Sequence, residues 1–365
     1  MVSSQANQKP RFERRGLIAD LYRLYYTMEM EILQDKNKKN GKERPWREKK
    51  VANVLLAQIY RGLDVRKAER LEECATYLLF ALHEGVLTLE KMNSCRVRLC
   101  PMCQWRRSLK AYSQTMRIID YLAQGKRPPA YAFLTLTMRN VTGDRLKEAL
   151  DNLMEGLNRL NTYSAVRKAV RGAYRGVEIT HDVDRKITRS RYRAAKAYYD
   201  GLGLKVGDCN PGFDTYHPHV HYLLAVNKSY FTSRDYIPQE KWVEYWRRAM
   251  RLDYDPVVDI RRAWGTSAEQ IAEISKYACK DSEYVIPTDY ELSQETVAIL
   301  DRALANRRLV AYTGELREAH RDLKMDDVDD GDLIHVDPGA EDAVKEDPRL
   351  LYLWQSGYCQ YMRGK

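Results

Sequence analysis

Three segments of the chain have the apolar pattern of β-strands. Residues 131–141 (YAFLTLTMRNV) alternate apolar residues with Thr, residues 172–180 (GAYRGVEIT) are mostly apolar or β-branched, and residues 217–226 read HPHVHYLLAV. Successive side chains of a strand point to opposite faces, so His219 and His221 share one face of the third segment. The pattern predicts a sheet that presents two imidazoles side by side.

Other segments have the apolar spacing of helices. These predicted helices cover residues 51–85, 143–160 and 238–252, with a shorter one around Leu17 to Leu33. Thr266 and Glu269 form a capping-box pattern, which predicts a further helix from there to about Asp281. Residues 184–215 look like a long hairpin insertion. Helices that cover one side of an alternating sheet indicate an α+β fold.

The histidine strand is a candidate metal site. Imidazoles alone would suit zinc, whereas a site completed by carboxylate, water and phosphate oxygens suits Mg²⁺ or Mn²⁺. Glu178 lies in the upstream strand segment and is the best third ligand for His219 and His221 if the two strands are neighbours. The alternative for Glu178 is a solvent-facing position on an alternating strand, and for the histidines a structural cluster.

The predicted helix that ends near Asp281 carries a second group of polar residues. Glu273, Tyr277 and Lys280 cluster on a face about 130° away from its apolar stripe, which places a nucleophile, a carboxylate and a cation together. A plain polar surface with i,i+4 pairs would look the same. The group gains weight as a catalytic candidate because the histidine strand is present as well.

The order of these motifs resembles a known family. FLTLT, HPHVH and EISKYACK follow one another as in the HUH-type replication initiators of small rolling-circle plasmids from bacteria. The segment CRVRLCPMCQWRRSLK at residues 95–110 is similar to the Cys-rich segment of one initiator subfamily, so the resemblance covers residues 70–285. It implies an antiparallel sheet of about five strands, flanked by helices, with the metal on its open face.

The resemblance also implies a mechanism on single-stranded DNA. Tyr277 would attack the scissile phosphate, giving a 5′-phosphotyrosyl intermediate and a 3′-OH primer. Lys280 would stabilise the phenolate or the phosphate, and Glu273 would activate water for the terminating cleavage. Tyr284 is a rival nucleophile that lies two helical turns further on. Other classes remain open: a conjugative relaxase, a single-stranded DNA transposase, a non-catalytic zinc-dependent DNA-binding protein, or an RNA-modifying metalloenzyme.

The cysteines of the same segment predict a second, structural metal site. Cys95, Cys100 and Cys103, with Cys74 upstream, have the number and approximate spacing of a closed tetrahedral zinc site. His83 is an alternative fourth ligand to Cys74, and reduced cysteines without metal are the alternative to the site.

The charge pattern fits a nucleic-acid partner. The net charge is +10, and Lys and Arg are crowded in residues 8–50, 96–110 and 185–196. Such patches neutralise phosphates, and an aromatic residue among them adds a stacking surface. The residues expected to contact DNA are Arg98, Trp105, Arg106, Arg107, Lys110, Arg139 and His217. The acidic residues 323–347 instead predict a mobile tail or a regulatory surface that faces another protein.

We divide the chain into four parts on these grounds. They are a basic arm with a short helix (1–50), a helical zinc- and DNA-binding module (51–126), a nicking and strand-transfer domain (127–290) and a helical segment with an acidic tail (291–365). No apolar run approaches the roughly 18 residues of a membrane helix, and no signal-peptide pattern is present, so a cytoplasmic protein is expected. The expected partners are single-stranded and hairpin origin DNA, a host helicase and DNA polymerase, and a second copy in a homodimer.

Overall fold

Two antiparallel five-stranded sheets form the framework of the protein. The computed structural model describes residues 30–37, 41–263, 271–272, 274–275, 279–336 and 346–364. The strands are β1 Met30–Ile32, β2 Tyr77–His83, β3 Val86–Met92, β4 Ala130–Thr137, β5 Val170–His181, β6 Tyr216–Val226, β7 Val258–Ala263, β8 Val310–Thr313, β9 Arg349–Gln355 and β10 Gln360–Gly364. The α+β class expected from the sequence is confirmed.

Helices pack around both sheets. Those described are α1 Trp46–Arg61, α2 Val65–Glu73, α3 Pro101–Ala123, α4 Leu146–Thr162, α5 Ser164–Ala169, α6 Arg189–Ala194, α7 Lys196–Gly201, α8 Gln239–Met250, α9 Tyr290–Leu304 and α10 Gly314–Asp322, with 3₁₀ turns at Gly143–Arg145, Tyr230–Thr232 and Asp281–Glu283. Within these ranges, no helix is both long and apolar enough to cross a membrane.

The sheet that contains the predicted metal strand has the order β7-β4-β6-β5-β8, and we call it the histidine sheet. One of its faces carries Leu136, Val177 and Val220, which are in register with one another and buried in one apolar cluster with residues of α4 and α8. Because side chains alternate along a strand, the neighbouring positions face the other way. Glu178, His219 and His221 therefore lie together on the opposite face.

The second sheet has the order β1-β10-β9-β2-β3 and joins distant parts of the chain. Strand β9 pairs with β2, and β10 pairs with β1. This corrects two expectations: the described end of the helix expected around Leu17 to Leu33 is strand β1, and residues 349–364 form a strand pair rather than helix or tail. The apolar run RLLYLWQ of β9 supplies Tyr352, which is buried against Phe80 of β2.

The insertion between β5 and β6 is a hairpin only at its base. Residues 185–187 pair antiparallel with residues 207–210, and the residues between them form the short helices α6 and α7. Buried Asp182 fixes the insertion to the sheet, because it accepts hydrogen bonds from Asn210 and from Arg191. Polar anchors of this kind leave no apolar alternation for a sequence pattern to detect.

Candidate metal centres and catalytic surface

Glu178, His219 and His221 form a compact group of potential metal ligands. Glu178 lies directly opposite His219 in the pairing of β5 with β6. The Oε2 atom of Glu178 is 3.5 Å from Nε2 of His219 and 3.5 Å from Nε2 of His221. The carboxylate is buried and both rings are half-buried, so the group opens toward the free face of the histidine sheet.

Hydrogen bonds set the orientation of both rings. Nδ1 of His219 lies 3.1 Å from the backbone oxygen of His217, and a carbonyl can only accept, so this nitrogen carries the proton. Nδ1 of His221 similarly lies 3.1 Å from the hydroxyl of Thr135. The His219 contact leaves Nε2 of that ring available as a ligand, and the Thr135 hydroxyl, which can donate or accept, holds the His221 ring in place. The three side chains could therefore hold a metal ion.

The same contacts perturb the acid–base behaviour of the group. Burial by itself would raise the pKa of Glu178, but hydrogen bonds to His219 and His221, and then their charges, hold the pKa well below its usual range. Burial, and then the charge of His219, lower the pKa of His217 to about 4. The lowered pKa keeps the Glu178 carboxylate ionised, which is the form that binds a divalent cation.

Ile274 and Glu283 contact β5 at two points near the ligand group. A Cβ added to Gly176, the register partner of His221, would lie 2.9 Å from the backbone oxygen of Ile274, so glycine permits this close approach. Further along, the Glu283 carboxylate accepts a hydrogen bond from the backbone N–H of His181. Gly176 and His181 lie on either side of Glu178 in β5, and these two contacts therefore flank the ligand group.

Of the three catalytic residues predicted from the sequence, the structure describes only Lys280. Glu273 and Tyr277 lie outside the described residues. Lys280 is half-exposed, 3.5 Å from the Glu283 carboxylate. The helix expected to reach Asp281 ends earlier, because Lys280 has extended backbone angles (φ −78°, ψ 135°) and a separate 3₁₀ turn begins at Asp281.

The rival nucleophile Tyr284 is fully buried. Its hydroxyl donates a 2.7 Å hydrogen bond to the backbone oxygen of Leu99 and accepts one from Gln104. Burial raises its pKa well above the usual value. A buried phenol whose hydroxyl already makes two hydrogen bonds cannot reach a phosphate, so the role of Tyr284 is structural.

Four cysteines form the second group of potential ligands. Cys74, Cys95, Cys100 and Cys103 are all buried and unbridged, with Sγ separations of 3.6, 3.7 and 3.8 Å for three of the pairs. Four thiolates at about 2.3 Å from a central zinc stand about 3.8 Å apart in a tetrahedron. The geometry fits such an ion, and the four residues could bind a metal.

The choice between Cys74 and His83 is also decided by position. Cys74 is a member of the cluster, whereas His83 lies at the end of β2 and forms a 2.9 Å ion pair with Asp347. Asn53 of α1 contacts the cluster from the other side, since Cys100 Sγ lies 3.0 Å from its Oδ1. Helices α1 and α3 and the β2–β3 pair thus converge on the four sulfur atoms.

The basic residues of α3, which were expected to contact DNA, are instead buried and bonded within the protein. Arg106 is fully buried and donates to the backbone oxygens of Leu333 and Ile334. Arg107 and Lys110 are also buried and bind the same segment, residues 326–334, which we call the acidic clasp. A buried cation that is already bonded has no surface to offer a phosphate.

The neighbours of these residues are engaged as well. Arg98 is bonded to Asp329 of the acidic clasp, and Trp105 packs edge-on against Trp46 with ring centroids 4.6 Å apart. The acidic segment expected to be a mobile tail is therefore, over residues 326–334, packed against α3. The opposite charges of α3 and the acidic clasp are the one feature of the sequence that could have suggested this pairing. Neither segment by itself shows which partner it packs against.

The two remaining DNA-contact candidates lie beside the metal ligands. Arg139, two residues past the end of β4, is exposed. His217 is half-buried, and its Nδ1 lies 2.9 Å from Oδ1 of the neighbouring Asn140. Both belong to the edge of the open face on which Glu178, His219 and His221 are found.

A carboxylate and two imidazoles on an open antiparallel sheet, together with four clustered thiols, define a protein with two potential metal centres. A family model described as "Replication protein" matches residues 86–362. The chain is 38% identical over 361 residues to "Protein rep" of Bacillus amyloliquefaciens, which covers 91% of this chain and 97% of that protein. It is 34% identical to "Protein rep" of Lactiplantibacillus plantarum, over 87% of this chain and 92% of the relative.

A more distant relative is the "Replication protein" of Staphylococcus aureus, 28% identical over 66% of this chain and 93% of its own length. No solved structure matches the chain. The extent of these matches shows that the chain belongs to the Rep family of plasmid replication initiators.

Proposed function

We propose that this protein initiates rolling-circle replication of a plasmid. It binds the double-strand origin, nicks one strand through Tyr277, and ends the round by a second cleavage that joins the strand ends. Membership of the replication protein family supports the role in replication. The ligand group on the histidine sheet supports the nicking reaction, since a metal-dependent phosphoryl transfer needs such a centre on an accessible surface.

The observation that carries the proposal is a pair of contacts near the ligand group, made by described residues on either side of Tyr277 in the sequence. Ile274 lies against β5 on one side of Glu178, and Glu283 is bonded to β5 on the other side. Tyr277 lies between Ile274 and Glu283 in the sequence. A tyrosine on a segment anchored at both ends beside the ligands is well situated to attack a phosphate bound there.

In the proposed reaction one phosphodiester is exchanged for another. The phenolic oxygen of Tyr277 forms a bond to phosphorus while the bond from phosphorus to the 3′ oxygen breaks. The phenol loses a proton, and the leaving oxygen gains one to become a 3′-OH, from which a host DNA polymerase extends. A divalent ion, Mg²⁺ or Mn²⁺, held by Glu178, His219 and His221 would neutralise charge that develops on the phosphate.

The remaining roles in the site follow from charge and position. The Lys280 ammonium is half-exposed and would stabilise the phenolate or the phosphate oxygens. Glu273 would activate the water that carries out the terminating cleavage, in place of a second tyrosine. Arg139 and His217, at the edge of the open face, would contact the DNA strand.

The other parts of the protein support this reaction in the proposal. The four-cysteine cluster would hold a structural zinc ion, because its sulfur spacing fits tetrahedral coordination. Nicking and strand transfer would reside in residues 127–290, and origin binding would involve the module of residues 51–126, with β9 and β10 completing its sheet. A host helicase and a second copy of the chain would act with it in the cytoplasm.

The test is a covalent adduct with DNA. The protein is incubated with a labelled single-stranded origin oligonucleotide and Mn²⁺, and an SDS-stable complex is sought. We expect Tyr277→Phe to abolish the complex and Tyr121→Phe, a change at an exposed tyrosine of α3, to leave it unchanged. EDTA should prevent adduct formation and added Mn²⁺ should restore it. An adduct with Tyr277→Phe, or one that resists EDTA, would overturn the proposed chemistry.

Termination is tested separately with Glu273→Gln. This variant should still nick and form the Tyr277 adduct, because that step needs the phenol and the metal rather than the carboxylate. Replication should then run past one unit length and accumulate multimeric single strands. Unit-length circles from this variant would assign water activation to another group.

A further inference from the structure

Arg139, just after β4, and Tyr254, just before β7, form an aromatic–cation pair that gives the proposed DNA contact of Arg139 a specific form. The Arg139 guanidinium stacks on the ring of Tyr254, with its central carbon 3.8 Å from the ring centroid. The Tyr254 hydroxyl also accepts a 2.9 Å hydrogen bond from the backbone N–H of Arg139. Two contacts between the same residues fix the guanidinium in one plane, although Arg139 is exposed.

This guanidinium is free to bind a ligand. In the part of the chain that the structure describes, its nitrogen atoms donate to no protein group, and its outer face is open. A nearby carboxylate, that of Asp255, is already paired with Arg247 at 3.1 Å. A planar cation with unused N–H groups and one free face is suited to a nucleotide, because it can bind phosphate at its edge and stack a base on its face.

The pair lies next to the ligand group. Thr137, the last residue of β4, is the register partner of His219, and Arg139 follows two residues later, about 7 Å along the strand direction. On the other side of β4, the backbone oxygen of Val257 accepts hydrogen bonds from Thr137, and Val257 is 73% exposed. The Arg139–Tyr254 pair therefore follows the end of β4, the strand that is paired directly with the histidine strand β6.

We infer that the Arg139–Tyr254 pair is the binding subsite for a nucleotide next to the scissile phosphate of single-stranded DNA. The base stacks on the guanidinium, Tyr254 supports the guanidinium from behind, and a phosphate accepts from the guanidinium edge. Single-stranded DNA is the favoured ligand because the bases of a duplex are stacked on each other and do not present a free face. The inference rests on the proposed function, which brings a DNA strand to this surface.

The experiment measures binding in EDTA, so that no cleavage takes place. Short single-stranded oligothymidylates carry a terminal fluorescein, and each has one 2-aminopurine at a different position. Anisotropy reports affinity, and quenching of 2-aminopurine reports stacking. Arg139→Lys keeps the charge and loses the planar face. Tyr254→Leu removes the aromatic support, and Tyr254→Phe keeps the ring while removing the hydroxyl that accepts from the Arg139 N–H. Arg145→Lys is the control, since Arg145 is an exposed arginine paired only with Glu148.

We expect Arg139→Lys and Tyr254→Leu each to weaken binding about tenfold and to abolish the quenching at one position. Arg139→Ala should in addition lower the slope of log K against log salt by about 0.7, whereas Arg139→Lys should keep the slope. Arg145→Lys should bind as the unaltered protein does, and Tyr254→Phe, which keeps the ring but loses the hydrogen bond from the Arg139 N–H, should weaken binding less than Tyr254→Leu does.

Two results would overturn the inference. Unchanged affinity and quenching in Arg139→Lys would show that Arg139 acts only as a point charge, and equal binding of a duplex by all variants would show a backbone contact without stacking. Because binding is measured without metal, these outcomes are independent of adduct formation. A protein that fails to nick but loses stacking in Arg139→Lys would leave the subsite in place and reject the proposed function alone.

Discussion

The hydroxyl of Tyr284 donates a hydrogen bond to the backbone oxygen of Leu99, the residue that precedes Cys100. Tyr284 directly follows Glu283, whose carboxylate accepts from the His181 N–H of β5. Gln104, one residue past Cys103, binds the same hydroxyl from α3. A chain of hydrogen bonds thus runs from the cysteine cluster to the strand that carries Glu178, and a disturbance of one ligand group is expected to reach the other.

Tyr284→Phe tests this connection. The change removes one buried hydroxyl and leaves the Leu99 carbonyl without its donor, so we expect a loss of about 1 kcal/mol in the free energy of unfolding. Adduct formation should slow while the metal content of the cysteine cluster stays the same. Tyr290→Phe, at an exposed tyrosine of α9, is the matched control. Equal nicking rates for both variants would show that the contact does not couple the centres.

Gly176→Ala tests the close passage of Ile274 over β5. The added methyl group would lie 2.9 Å from the Ile274 oxygen, so the segment must move away from the sheet. Overpacking of this kind costs about 1–3 kcal/mol. We expect slower adduct formation with Mn²⁺ affinity retained, since the ligands themselves are untouched. Gly201→Ala, where nothing lies within 4 Å, should behave as the unaltered protein; a similar loss there would point to a general effect of the substitution.

The cysteine cluster should contain one tightly held zinc ion. Cys100→Ser or Cys103→Ser should lower both the zinc content after mild EDTA treatment and the thermal stability, because metal binding contributes to folding. Cys359→Ser, at an exposed cysteine, should change neither. Metal analysis of protein purified under reducing conditions decides the matter, and a preparation that is folded yet free of zinc would refute the assignment.

Arg106→Met tests the acidic clasp. Two backbone oxygens, of Leu333 and Ile334, lose their donor, and we expect the free energy of unfolding to fall by roughly 1–3 kcal/mol. Affinity for single-stranded DNA should be unaffected, because the side chain has no exposed surface. Arg117→Met removes an exposed arginine of the same helix and should leave stability unchanged. Weaker DNA binding at unaltered stability in Arg106→Met would restore a direct role in DNA contact.

Glu283 gives the stability a pH dependence. Burial is the main cause that raises its pKa, the charge of Glu178 adds to the effect, and the His181 N–H and Lys280 oppose it. Because the pKa of Glu283 is higher in the folded than in the unfolded protein, the protonated carboxyl stabilises the fold. This contribution of Glu283 is complete below the unfolded pKa and is lost as pH rises through the folded pKa. In EDTA-treated samples, Glu283→Gln should therefore have the same melting temperature as the unaltered protein at low pH and a higher melting temperature at neutral pH. A melting difference that does not vary with pH would contradict this.

The grouping of Glu178 with His219 and His221 was predictable because it depends on short-range order. A strand repeats every two residues, so two histidines separated by one residue must share a face, and one further pairing brings in Glu178. The close spacing of Cys95, Cys100 and Cys103 is equally local. In both cases the spacing of the residues along the chain largely determines which side chains lie together.

The environment of α3 was not predictable in the same way. Whether Arg106 faces solvent or the acidic clasp depends on a segment 227 residues away, and a basic pattern is the same in either case. The prediction that a helix continues to about Asp281 was also wrong. The backbone at Lys280 is extended, and Glu283 just after it is bonded to the distant His181. Tertiary contacts decide such features.

The pairing of β9 with β2 has a consequence for synthesis on the ribosome. The Tyr361 hydroxyl binds the backbone oxygen of Ala75, 286 residues earlier, immediately after Cys74. The sheet beside the four cysteines is therefore incomplete until residues 349–364 have left the exit tunnel, and contacts of such separation form slowly. A nascent chain that already contains every residue of the histidine sheet still lacks its β9–β10 strands, so a newly made initiator completes its second sheet only after residue 364 has emerged.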